Sequence, residues 1–123
     1  MGKAALLIYV VDDEIVIAQT LATVLIRAGF RTAAFDDPKV ALSAFLAEHA
    51  DVLISDVVMP GMTGIELAVR ARQACPECKV LLLSGQIITS ELLERASQEG
   101  HHFDVFAKPV HPNELLEKLK SLI

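Results

Sequence analysis

The sequence predicts an α/β protein, a doubly wound parallel sheet with helices on both faces. Three observations carry this reading. Short apolar runs alternate with helical stretches five times over 123 residues. Three of the runs are almost wholly apolar instead of alternating, as expected of parallel strands covered on both sides. The length is that of one ordinary domain with a single core, so residues 1–123 are expected to be a single domain, with no output domain within this stretch.

The elements follow in order. Leu6–Val11 is the first strand, followed by a helix over 14–28 that stops at Gly29, where a left-handed residue ends a helix well. Thr32–Phe35 is the second strand. The helix over 38–48 then starts with Asp37 as cap and Pro38 at its first position. Val52–Ser55 is the third strand, and the helix over 64–74 opens with Thr63 and Glu66 spaced as a capping box. Val80–Leu83 and Phe103–Ala107 are the last strands, with a helix over 89–98 between them. A final helix over 112–122 has Leu115, Leu116, Leu119 and Leu122 on one face, with Glu114 and Lys118 four apart outside. At this size the natural arrangement is the flavodoxin-like (βα)5 fold, a five-stranded parallel sheet of order 2-1-3-4-5.

Composition narrows the function classes. A chain that is 53% hydrophobic and 22% charged, with six Gly and five Pro, is neither disordered nor a disulfide scaffold. Eleven basic against sixteen acidic residues give a net charge of −5 and leave no basic stripe for gripping nucleic-acid phosphates directly. The longest apolar runs, such as Ala4–Val11, are far shorter than the ~20 residues that span a bilayer. No secretion leader is read at the N-terminus. A cytoplasmic protein without membrane contact is expected.

In a sheet of this type ligands bind beyond the carboxyl ends of the strands, where strands 1 and 3 lie side by side. Strand 1 ends in Asp12-Asp13-Glu14 and strand 3 in Ser55-Asp56; strand 4 ends in Ser84-Gly85 and strand 5 in Lys108-Pro109. Each piece alone is ordinary turn or cap chemistry. Together they bring three carboxylates, a hydroxyl and an ammonium to one edge. Clustered carboxylates repel, so at least one pKa should rise, and a hard divalent cation such as Mg²⁺ would relieve the repulsion. Such a site suits phosphoryl transfer to a carboxylate.

These residues resemble the response-regulator receiver domain of two-component signalling. The resemblance rests on Asp12-Asp13, the block Asp56-Val57-Val58-Met59-Pro60-Gly61 with Gly64, then Ser84-Gly85 and Lys108-Pro109, and it covers essentially the whole chain. It implies that Asp56 is the phosphoacceptor, taking its group from a phosphohistidine on a sensor histidine kinase or phosphotransfer protein, or from a small acyl phosphate. It implies that Asp13, Asp56 and the backbone carbonyl of Val58 hold Mg²⁺, with Asp12 acting through water. Lys108 would pair with Asp56 and then with the phosphoryl oxygens. Ser84 would donate its hydroxyl to that group, Gly85 would leave it room, and Pro60, Gly61 and Gly64 would shape the loop. A cis Lys108-Pro109 bond fits the same pattern. The implied output is a change of partner, a downstream effector or a fused output domain. The resemblance thus implies a switch, not an enzyme acting on outside substrates.

Two features depart from the family. Its strand-5 aromatic is replaced by Val105, and Phe106, one residue later, faces the other side of the sheet. The segment Gly100-His101-His102-Phe103-Asp104 is one residue longer than usual. Signalling is therefore expected to rely on the loop after Ser84 and the helix over 89–98, not on a rotating ring. The first helix is unusually apolar, with Val16, Ile17, Val24 and Ile26 beside a narrow stripe of Gln19, Thr20, Thr23 and Arg27. Deep burial is expected; an exposed patch for a partner or a homodimer is the alternative.

Cys75-Pro76-Glu77-Cys78 leaves a helix and precedes a strand, the reverse of a thioredoxin-like placement. It lies at the opposite end of the sheet, with His49, His101 and His102. An isolated CxxC is weak evidence for zinc or redox chemistry, so none is expected. Two other functions compete with the switch. A haloacid-dehalogenase-type phosphohydrolase needs an Asp two residues after its nucleophile, where this chain has Val58. A scaffold that binds partners without phosphorylation tends to lose the acceptor, the acidic pair or the lysine, and this chain keeps them all.

Overall fold

Five parallel strands form one sheet in the order β2-β1-β3-β4-β5. The computed structural model describes residues 5–85, 94–95, 97–100 and 103–123. The strands are β1 (Leu7–Val11), β2 (Arg31–Phe35), β3 (Val52–Asp56), β4 (Lys79–Ser84) and β5 (Asp104–Ala107). The helices with described bounds are α1 (Ile15–Arg27), α2 (Pro38–Ala47), α3 (Gly64–Ala74) and the C-terminal helix (Pro112–Leu122). The helix expected over 89–98 falls largely outside the described residues, although Glu94, Arg95, Ser97 and Gln98 are helical.

β1 and β3 are buried along their whole length, as their largely apolar sequences require of central strands, with Ser55 and Asp56 the polar residues at the end of β3. Alternate side chains feed two cores. Leu7, Tyr9, Val11 and Leu53 pack with Phe45 and Leu67 on the α2–α3 face. Ile8, Val10, Ile54 and Leu83 pack with Leu21, Leu25, Leu115 and Leu119 on the other face. Register aligns Val11 with Ser55 and Asp56 with Leu83, so the strand ends that carry polar residues finish at one level.

The helix signals act locally. α1 ends in a Schellman arrangement: the N–H of Phe30 donates to Leu25, that of Gly29 donates to Ile26, and Gly29 takes φ +103°. Asp37 accepts from the N–H of Lys39 at 2.8 Å, ahead of Pro38. Thr63 accepts from the N–H of Glu66 at 3.1 Å, but the Glu66 carboxylate bonds the Thr63 hydroxyl at 3.3 Å, so the box is closed through side chains. Lys118 reaches Asp104 at 3.4 Å, tying the last helix to β5.

The expected burial of α1 is corrected. Only Ala18, Leu21, Ala22 and Leu25 are buried, while Val16 is 71% and Ile26 55% exposed. The sheet covers one stripe of this helix, and no described element packs over the stripe that carries Val16 and Ile26. No described helix is long and apolar enough to cross a membrane.

Candidate functional site at the carboxyl edge of the sheet

The site is assembled by neighbouring strands that stop together. Asp12 follows β1 and its N–H still donates to Phe35 at 3.0 Å, so the residue is held by the sheet, not by a loop. Asp56 ends β3, and the following N–H, of Val57, donates to Leu83 at 3.1 Å. Lys108 follows β5, its N–H donating to the carbonyl of Ser84 at 2.9 Å, and its bond to Pro109 is cis. Ser84, at the end of β4, is half-buried.

The carboxylates of Asp12, Asp13 and Asp56 each offer an oxygen within 4.8 Å of the others, the one cluster of three potential metal-ligating acidic, histidine or cysteine side chains among the described residues. Asp12 is fully buried, Asp56 nearly so, and Asp13 is exposed at the mouth. Lys108 bridges two of them, with its Nζ 3.0 Å from Asp12 and 3.2 Å from Asp56. The second oxygen of Asp12 accepts from the N–H of Glu14 at 2.9 Å. Glu14 itself is exposed and stands outside the cluster.

The electrostatics follow from this packing. Burial pushes the Asp56 carboxyl above the ordinary aspartate value; Lys108 opposes that rise, and Asp12 and Asp13 add to it. Burial alone would lower Lys108, but the carboxylates of Asp12 and Asp56 outweigh it and raise its pKa. A carboxylate of the cluster does rise, at Asp56, but burial is the first cause and repulsion from Asp12 and Asp13 the lesser one. A cation between the carboxylates would offset it, and the donors available are hard oxygens of the kind Mg²⁺ takes.

The loop after Asp56 is shaped by two glycines. Gly61 takes φ +85°, which favours glycine. Gly64 is forced by contact: a Cβ there would overlap the Asp56 carbonyl oxygen and lie 3.0 Å from the Ser55 hydroxyl. Val58 is exposed beside Asp56, and Gly85 leaves space next to the Lys108 stem. Two contacts were not anticipated from sequence. Ser55, fully buried, donates its hydroxyl to the Asp56 carbonyl at 2.9 Å; the lone hydroxyl in an apolar strand was its only signal. The direct Asp12–Lys108 pair joins residues 96 positions apart, which no local pattern reveals. A groove of about 550 Å³ opens beside Asp13, lined also by Asp36, Asp37, Lys39 and Gly61.

Residues 8–120 match the model of the response regulator receiver domain. The chain belongs to that family. Receiver domains are signalling modules of two-component systems. This one is 28% identical over 116 residues to the response regulator receiver protein CpdR of Brucella abortus, covering 94% of this chain and 95% of that protein. It is 31% identical to the DNA-binding response regulator MtrA of Mycobacterium tuberculosis over 93% of its length, but spans only 49% of MtrA. Its fold superposes on the chemotaxis protein CheY4 of Vibrio cholerae with a TM-score of 0.84 and 30% identity, covering 98% of this chain and all of that one.

β5 has the departure expected of it. Val105 is 40% exposed, while Phe106 packs against the core on the α1 side. Phe103 lies on the α2–α3 side, under the guanidinium of Arg72 at 4.8 Å. His101, His102 and most of the loop after Ser84 lie outside the described residues.

Proposed function

We propose that this receiver domain is a phosphorylatable switch that accepts a phosphoryl group on Asp56 from the phosphohistidine of a sensor histidine kinase or phosphotransfer protein, with Mg²⁺ required. The observation that supports it best is the carboxylate cluster of Asp12, Asp13 and Asp56 with Lys108 bonded to two of its members.

An Asp56 carboxylate oxygen bonds to phosphorus while the bond to the donor's imidazole nitrogen or acyl oxygen breaks, and the electron pair leaves with the donor. Asp56 must be ionised to attack. Lys108 supports the ionised form against burial and against its acidic neighbours. Asp13, Asp56 and the Val58 carbonyl would hold Mg²⁺, with Asp12 acting through water. When bound, the ion supplies positive charge that offsets repulsion of the incoming oxygens. Lys108 and the Ser84 hydroxyl then hold the transferred group. The response passes to the loop after Ser84 and the helix over 89–98, because Val105 carries no ring to rotate.

In this reading residues 1–123 work as one receiver unit in the cytoplasm. The unit changes its contact with an effector protein or an output domain and binds neither nucleic acid nor membrane directly. Intact mass after incubation with acetyl phosphate and Mg²⁺ tests it. One added phosphoryl group is expected, lost in Asp56→Asn and suppressed by chelator. An unmodified protein would leave the unphosphorylated scaffold as the better reading, and normal labelling of Asp56→Asn would move the acceptor elsewhere.

A further inference from the structure

We propose that Cys75 and Cys78 form a reversible dithiol–disulfide pair, a modification site for low-molecular-weight disulfides at the amino edge of the sheet. Both are free thiols in this structure. The N–H of Cys78 donates to the Cys75 carbonyl at 3.1 Å, which closes residues 75–78 into a four-residue turn with Pro76 at its second position. A turn of this kind holds its end Cα atoms within about 7 Å, close to the span a disulfide requires. Sequence spacing alone leaves that distance open; the turn fixes it. Both cysteines also belong to one apolar cluster, Cys78 buried and Cys75 half-buried at its margin.

The two thiols differ in access, which sets the order of events. Cys75 caps the end of α3 and is the thiol a reagent meets first. Cys78 is 2% exposed, and burial, reinforced by the neighbouring Cys75, pushes its thiol up to about 12. Burial therefore keeps Cys78 a neutral thiol, which makes its attack on the mixed disulfide the slower, second step. In the first step the Cys75 thiolate attacks glutathione disulfide, forming a mixed disulfide and releasing one glutathione thiolate. Cys78 then loses its proton and attacks the Cys75 sulfur, expelling the second. Two protein thiols are oxidised and one glutathione disulfide is reduced to two thiols.

The linkage would pin the end of α3 to the start of β4. The pair lies away from the carboxylates, so its test does not depend on phosphorylation. The chain is incubated with glutathione disulfide, quenched in acid, alkylated in denaturant and digested at Arg72 and Lys79. The segment Gln73–Lys79, which carries both cysteines, is expected to become about 2 Da lighter and to take no alkylating reagent. Dithiothreitol should restore two reactive thiols, and Cys75→Ser should form neither disulfide nor adduct. Two free thiols after oxidation, a persistent glutathione adduct, a covalent dimer, or oxidation of Cys78 in the Cys75→Ser variant would each overturn the proposal.

Discussion

Strand β3 has an aspartate at each end, and the two are used in opposite ways. Asp51, just before the strand, accepts the N–H of Leu7 on a carboxylate oxygen at 2.8 Å. Its own N–H donates to Leu7 at 2.8 Å, and its carbonyl accepts from Lys79 at 3.0 Å. It joins the starts of three strands. Nearby, the Tyr9 hydroxyl donates to the Glu48 carbonyl at 2.8 Å. Asp56, at the far end, has two further carboxylates beside it and Lys108 as its cation. One end of the strand uses its acid to close the sheet. The other buries an acid among further acids, where burial first and its acidic neighbours second disfavour its charge, and such a conflict between local chemistry and stability marks a functional edge.

The largest effect is expected where the carboxyl edge is most tightly packed. Gly64→Ala puts a methyl group into the Asp56 carbonyl and against the Ser55 hydroxyl. Neither can give way, since both belong to a buried strand. A loss of about 3 kcal/mol is expected from such overpacking, with a matching loss of phosphoryl acceptance as Asp56 shifts. Urea unfolding beside Gly29→Ala checks this. Gly29 has open space around it and a positive φ, so only backbone strain opposes the methyl group there, and its loss should be smaller. Equal losses at the two sites would mean that the edge is more pliable than its packing implies.

Much of this edge was legible in the sequence because each group terminates a strand. The βα alternation and the small size of the chain point to the strand order, and order plus the polar terminal residue places Asp12, Asp56, Ser84 and Lys108 at one edge. Caps at Asp37 and Thr63 and the left-handed Gly29 were equally legible, since each depends on residues within a few positions. What escaped depends on distance or on what covers a surface. The Asp12–Lys108 contact and the clash that fixes Gly64 are tertiary. The exposure of Val16 and Ile26 was misjudged because hydropathy records what a helix could bury, not whether a neighbour is there to cover it. Asp51 escaped as well, since an Asp before a strand reads as turn chemistry.

A smaller effect is expected at the amino edge. Asp51→Ala removes the acceptor for the N–H of Leu7 but leaves the two backbone bonds of residue 51 in place. The loss should be about 1 kcal/mol, that of one hydrogen bond with its donor only partly rescued by water. Phosphoryl acceptance should be unchanged, because no carboxylate of the cluster is touched. Thermal unfolding together with acetyl phosphate labelling measures both. A change in labelling without a change in stability would contradict the separation of the two ends.

The smallest effect should have the opposite sign. Asp56→Asn is expected to stabilise the metal-free protein at neutral pH, by less than Asp51→Ala destabilises it. The folded-state pKa of Asp56 lies above its ordinary value of 3.8, so folding favours the protonated carboxyl. The stability this contributes is fully present below the unfolded value and is lost as pH rises through the folded one. Wild type should therefore fall behind the variant across a window just above pH 3.8, with the gap fully open at neutral pH and closed in acid. Lys108 limits its size, because the same substitution removes a charge that Lys108 pairs with. Mg²⁺ should narrow the gap, since binding to the native carboxylates stabilises wild type more than the variant. Melting temperatures of both proteins from about pH 4 to about pH 8, with chelator and with Mg²⁺, test the sign. A variant less stable than wild type at neutral pH, or a gap that ignores pH, would mean that Lys108 more than compensates the burial of Asp56 and that this edge is not held against its own electrostatics.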